Sequence, residues 1–124
     1  MSRTRHRLPD RRENTCFKLT IHTEHGREKV YLHVGCYADG RVGEVFVVIE
    51  KTGAQVRALI DEIARGVSRE LQCGWTLEEL IEAWRETKFM PAGSVVGHEQ
   101  VKLCTSPLDA VARVLEVEYG QANR

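Results

Sequence analysis

Phe17-Lys-Leu-Thr-Ile21 alternates apolar and polar residues, and Val30-Tyr-Leu-His-Val-Gly-Cys36 repeats the pattern a short way on. A period of two places Phe17, Leu19 and Ile21 on one face of a strand, and Val30, Leu32, Val34 and Cys36 on one face of the next. The intervening His22-Thr-Glu-His-Gly-Arg27 is polar and contains a glycine, which predicts a hairpin loop. Ala38-Asp39-Gly40 predicts a second tight turn, because Asp-Gly readily takes the positive φ such turns need. A third strand runs from about Val42 to Glu50, with Val45, Val47 and Ile49 facing one way and Phe46 and Val48 the other. Apolar residues on both sides predict that both of its faces are covered. The three strands form an antiparallel meander.

The second half changes period. Val56, Leu59, Ile60, Ile63, Ala64, Val67 and Leu71 fall at helical spacing over residues 53–72, with Thr52-Gly-Ala-Gln55 as a capping box and Gly74 as a stop. Thr76-Leu-Glu-Glu79 opens a shorter helix that buries Leu77, Leu80, Ile81 and Trp84. The stretch from Phe89 to about Leu103, interrupted by Gly93 and Gly97, reads as irregular. Ser106 then caps a last helix with Pro107 in its first turn, and Gly120 ends it. Strands followed by helices, without alternation, define an α+β class: a three-stranded antiparallel meander followed by three helices packed on the sheet.

The chain has 124 residues, 42% of them apolar, which suits a single domain with a real core and argues against wholesale disorder. No apolar run reaches the roughly 20 residues of a membrane helix, so no membrane association is expected. The N-terminus lacks the apolar stretch of a secretory signal, and a cytoplasmic setting is expected. The 18 basic and 18 acidic residues cancel, but unevenly. Residues 1–12 hold Arg3, Arg5, Arg7, Arg11 and Arg12 against Asp10 alone, a net charge of +4, and the rest of the chain carries 13 positive and 17 negative charges. Residues 1–12 are expected as a basic flexible arm too polar to pack, residues 13–120 as the domain and 121–124 as a flexible tail. A basic arm on an acidic body points to a phosphate-bearing partner, nucleotide or nucleic acid.

Cys16, Cys36, Cys73 and Cys104 form no Cys-x-x-Cys pair, and His33 and Cys36 sit an odd step apart on a strand, facing opposite ways. No metal site, no cofactor and no catalytic residue is expected; the cysteines read as small buried hydrophobes of a reducing compartment. The aromatic residues of the strands, Phe17, Tyr31, Tyr37 and Phe46, fall mostly at expected core positions, while His22, Tyr31 and His33 share the less apolar face.

Five strings occur together in order: Arg7-Leu-Pro-Asp-Arg-Arg-Glu13, Tyr37-Ala-Asp-Gly-Arg-Val-Gly-Glu-Val-Phe46, Gly53-Ala-Gln-Val-Arg-Ala-Leu-Ile-Asp61, Lys88-Phe-Met-Pro-Ala-Gly93 and Thr105-Ser-Pro-Leu-Asp109. In order and spacing the chain resembles the TSCPD domain. That domain ends adenosylcobalamin-dependent (class II) ribonucleotide reductases and also occurs as a small protein of its own. The naming string would read Thr-Ser-Cys-Pro-Asp, whereas here Pro107-Leu108-Asp109 follows Thr105-Ser106. The parent enzymes carry their radical cysteine, substrate and cobalamin on a large catalytic barrel with no counterpart in this chain. The resemblance therefore implies a non-catalytic module that does not reduce ribonucleotides by itself, set in nucleotide or DNA metabolism.

The phosphate-binding candidates are Arg3, Arg5, Arg7, Arg11 and Arg12 of the arm, Arg41 of the second turn, and Lys51, Gly53 and Arg57 at the start of the long helix. There the exposed N–H groups and the positive dipole end favour an anion, although the stretch is not a P-loop. Arg41 and Glu44 are also read as contacts for a partner. A homo-oligomer is expected. The alternative function is a protein-interaction module that docks on a ribonucleotide reductase or another enzyme of nucleotide metabolism.

Overall fold

The structure, a computed structural model, describes residues 4–50 and 53–120. The first half folds as β1 (Glu13–Thr23), β2 (Gly26–Cys36) and β3 (Val42–Ile49), followed by α1 (Ala54–Gln72) and α2 (Leu77–Trp84). Two short strands, β4 (Gly93–Val96) and β5 (Leu103–Cys104), precede α3 (Pro107–Tyr119). The meander is present, but the sheet is larger than the sequence reading allows: five antiparallel strands in the order β3-β2-β1-β4-β5. The stretch read as irregular supplies the two extra strands. Gly93 and Gly97, taken as breakers, have φ of 150° and 112°, and a Cβ on either would fall 2.2 or 2.4 Å from a carbonyl oxygen of β1. They are the points of close backbone approach that let β4 pair with β1.

Register sorts the side chains into two faces. Phe17 lies opposite Leu32 and Leu19 opposite Val30, while Leu32 pairs onward with Val47 and Val30 with Ile49. These residues are buried, apart from half-buried Phe17, under α1 and α3 in one core that also takes Leu80, Trp84, Val111 and Leu115. Phe17 meets Tyr119 of α3 edge-on, with centroids 6.3 Å apart. Each fully buried aliphatic side chain contributes about 1.5–3 kcal/mol relative to exposure. The other face carries Cys16, Lys18, Tyr31, His33, Phe46 and Val48 and lies open. Phe46 and Val48 are each 37% exposed, so the two-sided apolarity of β3 is not matched by a second covering layer.

The helix signals are realised with one shift. Thr76 and Glu79 form the capping box of α2, and Ser106 accepts from the Asp109 N–H at the start of α3. The N-cap of α1 is Gly53, one residue later than the expected box requires, with no side-chain cap; Thr52 lies outside the described residues. α1 also does more than cover the sheet. β3 is an edge strand, and Ser68 Oγ accepts the Val45 N–H at 2.9 Å and lies 3.0 Å from the Val45 carbonyl. Gln72 Nε2 donates to the Gly43 carbonyl at 2.9 Å. The helix thereby covers the polar edge at Gly43 and Val45, which would otherwise be open to pairing with another chain.

We expect Ser68→Ala to leave the Val45 N–H buried without a partner and to lower unfolding free energy by about 1–3 kcal/mol. Urea denaturation followed by circular dichroism measures the loss.

Candidate functional site

The leading segment is not a solvated arm over its described part. The His6 N–H bonds the Gln72 carbonyl at 2.8 Å, Arg5 Nε donates to Gln72 Oε1 at 2.8 Å, and the Tyr37 hydroxyl donates to the His6 carbonyl. Leu8 packs over Gly43, where a Cβ would approach it to 2.9 Å. Arg12 closes the series with a two-pronged pair to Glu44, at 2.5 and 3.2 Å. Glu44 is only 5% exposed and lies over Gly35, whose missing Cβ makes room for it: one built there would meet Glu44 Oε2 at 2.2 Å. Charge composition alone argued against packing because it cannot see Gln72, Glu44 or the two glycines that receive the segment.

These contacts decide where the candidate phosphate ligands lie. Arg3 and Lys51 fall outside the described residues. Arg5 and Arg12 are engaged as above, and Arg57 donates to the Glu50 carbonyl at 2.6 Å. Arg41 bonds Asp39 at 2.8 Å and stacks on Tyr37, with 4.8 Å from Cζ to the ring centroid. Arg41 and Glu44, read as groups for an external partner, thus have internal ones. Arg7 and Arg11 are exposed. The set is not brought together: Arg5 docks at Gln72 and Gly53 caps the opposite end of α1, about 28 Å away at 1.5 Å per residue. Gly53 lines a cleft with Arg27 and Glu28, whose Oε2 is buried with no partner among the described residues.

The Thr105–Asp109 string builds a junction rather than a thiol site. Asp109 is fully buried; its Oδ1 accepts the Glu86 N–H at 2.7 Å, and its Oδ2 accepts the Thr105 N–H and Arg113 Nε, each at 2.9 Å. Ser106 Oγ and Thr87 Oγ1 lie 2.7 Å apart, and Thr105 Oγ1 donates to the Thr87 carbonyl. The carboxylate thus ties the end of α2 to β5 and α3 and holds Glu86 at a φ of 64°, which a side chain rarely adopts. Burial pushes the Asp109 carboxyl up, but the two N–H groups and Arg113 outweigh it and leave its pKa below the ordinary 3.8. Burial pushes the Cys36 and Cys104 thiols up, which keeps them protonated. No group of three His, Cys, Asp or Glu side chains gathers at metal-binding distance among the described residues.

The open face of the sheet is the surface that sequence reading undervalued. Register sets Cys16, His33 and Phe46 in one row across β1, β2 and β3, and Lys18, Tyr31 and Val48 in the next. The Cys16 Sγ to His33 Nε2 distance is 3.9 Å. Arg27 and Lys29 continue the same face of β2 toward the hairpin, opposite His22 and Thr20. Phe46, on the side of β3 expected to be covered, and Tyr31, expected on the less apolar face, therefore stand together on an uncovered face between basic side chains. Strict alternation along β2 and β3 carried that signal, since each ring is out of phase with the core residues.

Fold and surface together define a small α+β domain with one open, basic and aromatic sheet face. The chain belongs to the TSCPD domain family, which matches residues 4–119. Among its relatives is the vitamin B12-dependent ribonucleotide reductase of Agrobacterium fabrum, 45% identical over 96% of this chain and 9% of that protein. The enzyme of the same name from Bradyrhizobium diazoefficiens is 44% identical over 94% of the chain and 9% of its own length. That from Rhodopirellula baltica is 32% identical over 96% of the chain and 11% of its length. The chain thus spans about a tenth of the length of these relatives. No solved structure matches it. No helix among the described residues is long and apolar enough to cross a membrane.

Asp109 gives the site a defined response to acid. Its pKa is lowered on folding, so its stabilisation is present above the unfolded value and lost as pH falls through the lower folded one. Stability should drop below about pH 4. Asp109→Asn should be less stable at neutral pH and show a shallower acid loss in pH-dependent thermal melts.

Proposed function

We propose that the chain is a non-catalytic nucleotide- or nucleic-acid-binding module, and that single-stranded nucleic acid lies across the open face of its sheet. The observation that carries this reading is the pairing of aromatic rings with cations on one surface: exposed Phe46 and half-buried Tyr31 on adjacent strands, with Lys18, Lys29 and Arg27 around them. Bases stack on such rings whatever their sequence, while the cations neutralise phosphates. Arg7 and Arg11, exposed on the segment that leads into β1, are two further cations for phosphate in this reading. The acidic helix α2, with Glu78, Glu79 and Glu82, keeps the phosphate backbone off the opposite side.

Labelled single-stranded DNA and RNA oligonucleotides should bind at low salt, with affinity falling steeply as salt rises. Tyr31→Ala and Phe46→Ala should each weaken binding by about tenfold, in line with stacking worth roughly 1–3 kcal/mol per base. Arg7→Ala with Arg11→Ala should flatten the salt dependence. No affinity at low salt, or affinity unchanged in both ring variants, rejects the reading.

A second reading, docking on a ribonucleotide reductase, is favoured by α1. Val56, Leu59 and Ile63 form an exposed apolar stripe on it, with Leu59 62% exposed. The relatives named above carry this domain within vitamin B12-dependent ribonucleotide reductases, whose remaining chain would be the occupant. Leu59→Asp should abolish co-purification with such a reductase and leave oligonucleotide binding intact. Retained co-purification removes the stripe as the contact.

A further inference from the structure

A cleft among the described residues lies away from the sheet face, between β5 and α3. It encloses about 630 Å³, within the range of small-molecule sites, and Arg85, Lys102 and Arg113 line it against the single carboxylate of Glu116. Arg85 is paired with Glu116 and Arg113 with the buried Asp109, so the hollow keeps an excess of one positive charge, that of Lys102, on a body whose acidic residues outnumber its basic ones.

Their placement is built, not incidental. Arg113 gives its Nε to the buried Asp109, and the other oxygen of that carboxylate holds the Glu86 N–H, fixing the residue that follows Arg85. Glu86 keeps its positive φ for this. A left-handed residue one past the C-cap is a common way for a helix to end, here built without glycine. Arg85 bonds Glu116 through Nη1 at 3.0 Å, and its Nε is buried with no acceptor among the described residues. Lys102 donates to the His98 carbonyl at 2.8 Å from the β5 side. Leu103, 65% exposed, and Val117 give the cleft an apolar rim.

We propose that this cleft binds a phosphate chain, with Arg85, Lys102 and Arg113 on its oxygens and the rim of Leu103 and Val117 against the organic part of a nucleoside polyphosphate. The site is separate from the sheet face and does not depend on it. Calorimetric titration of the full chain at low salt, with ATP and with inorganic tripolyphosphate as probes, tests it. Both should saturate a single site. Lys102→Glu and Arg85→Gln should each weaken both probes by roughly tenfold or more, the scale of one charge-assisted hydrogen bond. Lys102, being exposed, serves as the variant that leaves the fold intact, checked by circular dichroism. Leu103→Ser should weaken ATP and spare tripolyphosphate if the ligand is a nucleotide; an equal effect on both assigns the site to inorganic polyphosphate. Tyr31→Ala and Phe46→Ala should change neither probe. The proposal falls if neither probe binds, or if both variants of the cleft cations bind as well as the parent chain. It also falls if the ring variants abolish probe binding, which places small anions on the sheet face.

Discussion

Burying the Asp109 carboxylate removes it from water, and an ionised group in that position is tolerated only when its oxygens are well hydrogen-bonded. Three donors meet the requirement, and they come from three parts of the chain: the end of α2, the residue after β5 and the second turn of α3. The C-terminal half is therefore arranged around one charge. The Ser106 cap, the Pro107 start of α3 and the Thr87–Ser106 contact all lie within the same few residues. The cysteine of the family's naming string is dispensable to this arrangement, since hydroxyls, backbone N–H groups and the carboxylate make its bonds.

The N-terminal half has a comparable hub in Gln72. Its backbone carbonyl takes the His6 N–H, its amide oxygen takes Arg5, and its amide nitrogen covers the β3 edge at Gly43. One side chain at the last turn of α1 thus joins the helix, the sheet edge and the leading segment. Opposite it, Glu44 and Arg12 pair over the gap left by Gly35. Both hubs bury a polar side chain with all of its partners at hand, which favours one arrangement of the chain over others.

Local chemistry was legible in the sequence and long-range pairing was not. The period-two stretches gave β1, β2 and β3, and the helical spacing over 53–72 became Ala54–Gln72. The Thr76 and Ser106 caps formed because each uses donors three residues away. β4 has no local signature, because its four residues pair with a strand more than seventy positions earlier and its glycines look like breakers until β1 lies beside them. The expected ligands Arg5, Arg12 and Arg41 were legible as charge, but their partners Gln72, Glu44 and Asp39 were not. Arg5 and Gln72 are 67 residues apart. The open face was visible in principle, since Tyr31 and Phe46 stand out of phase with the core; covering both faces of β3 was the inference that hid it.

The strapping of the leading segment also has a mechanical side. Tension applied ahead of Arg5 does not reach the ladder of β1 directly. It is carried first by the Gln72 bonds to Arg5 and His6, then by Leu8 against Gly43, and then by the Arg12–Glu44 pair. Those anchors sit on α1 and β3, on the far side of β2 from β1. A load entering at this end is spread across the sheet before it can peel its central strand, and the domain behaves as a clamped joint rather than a loose tether.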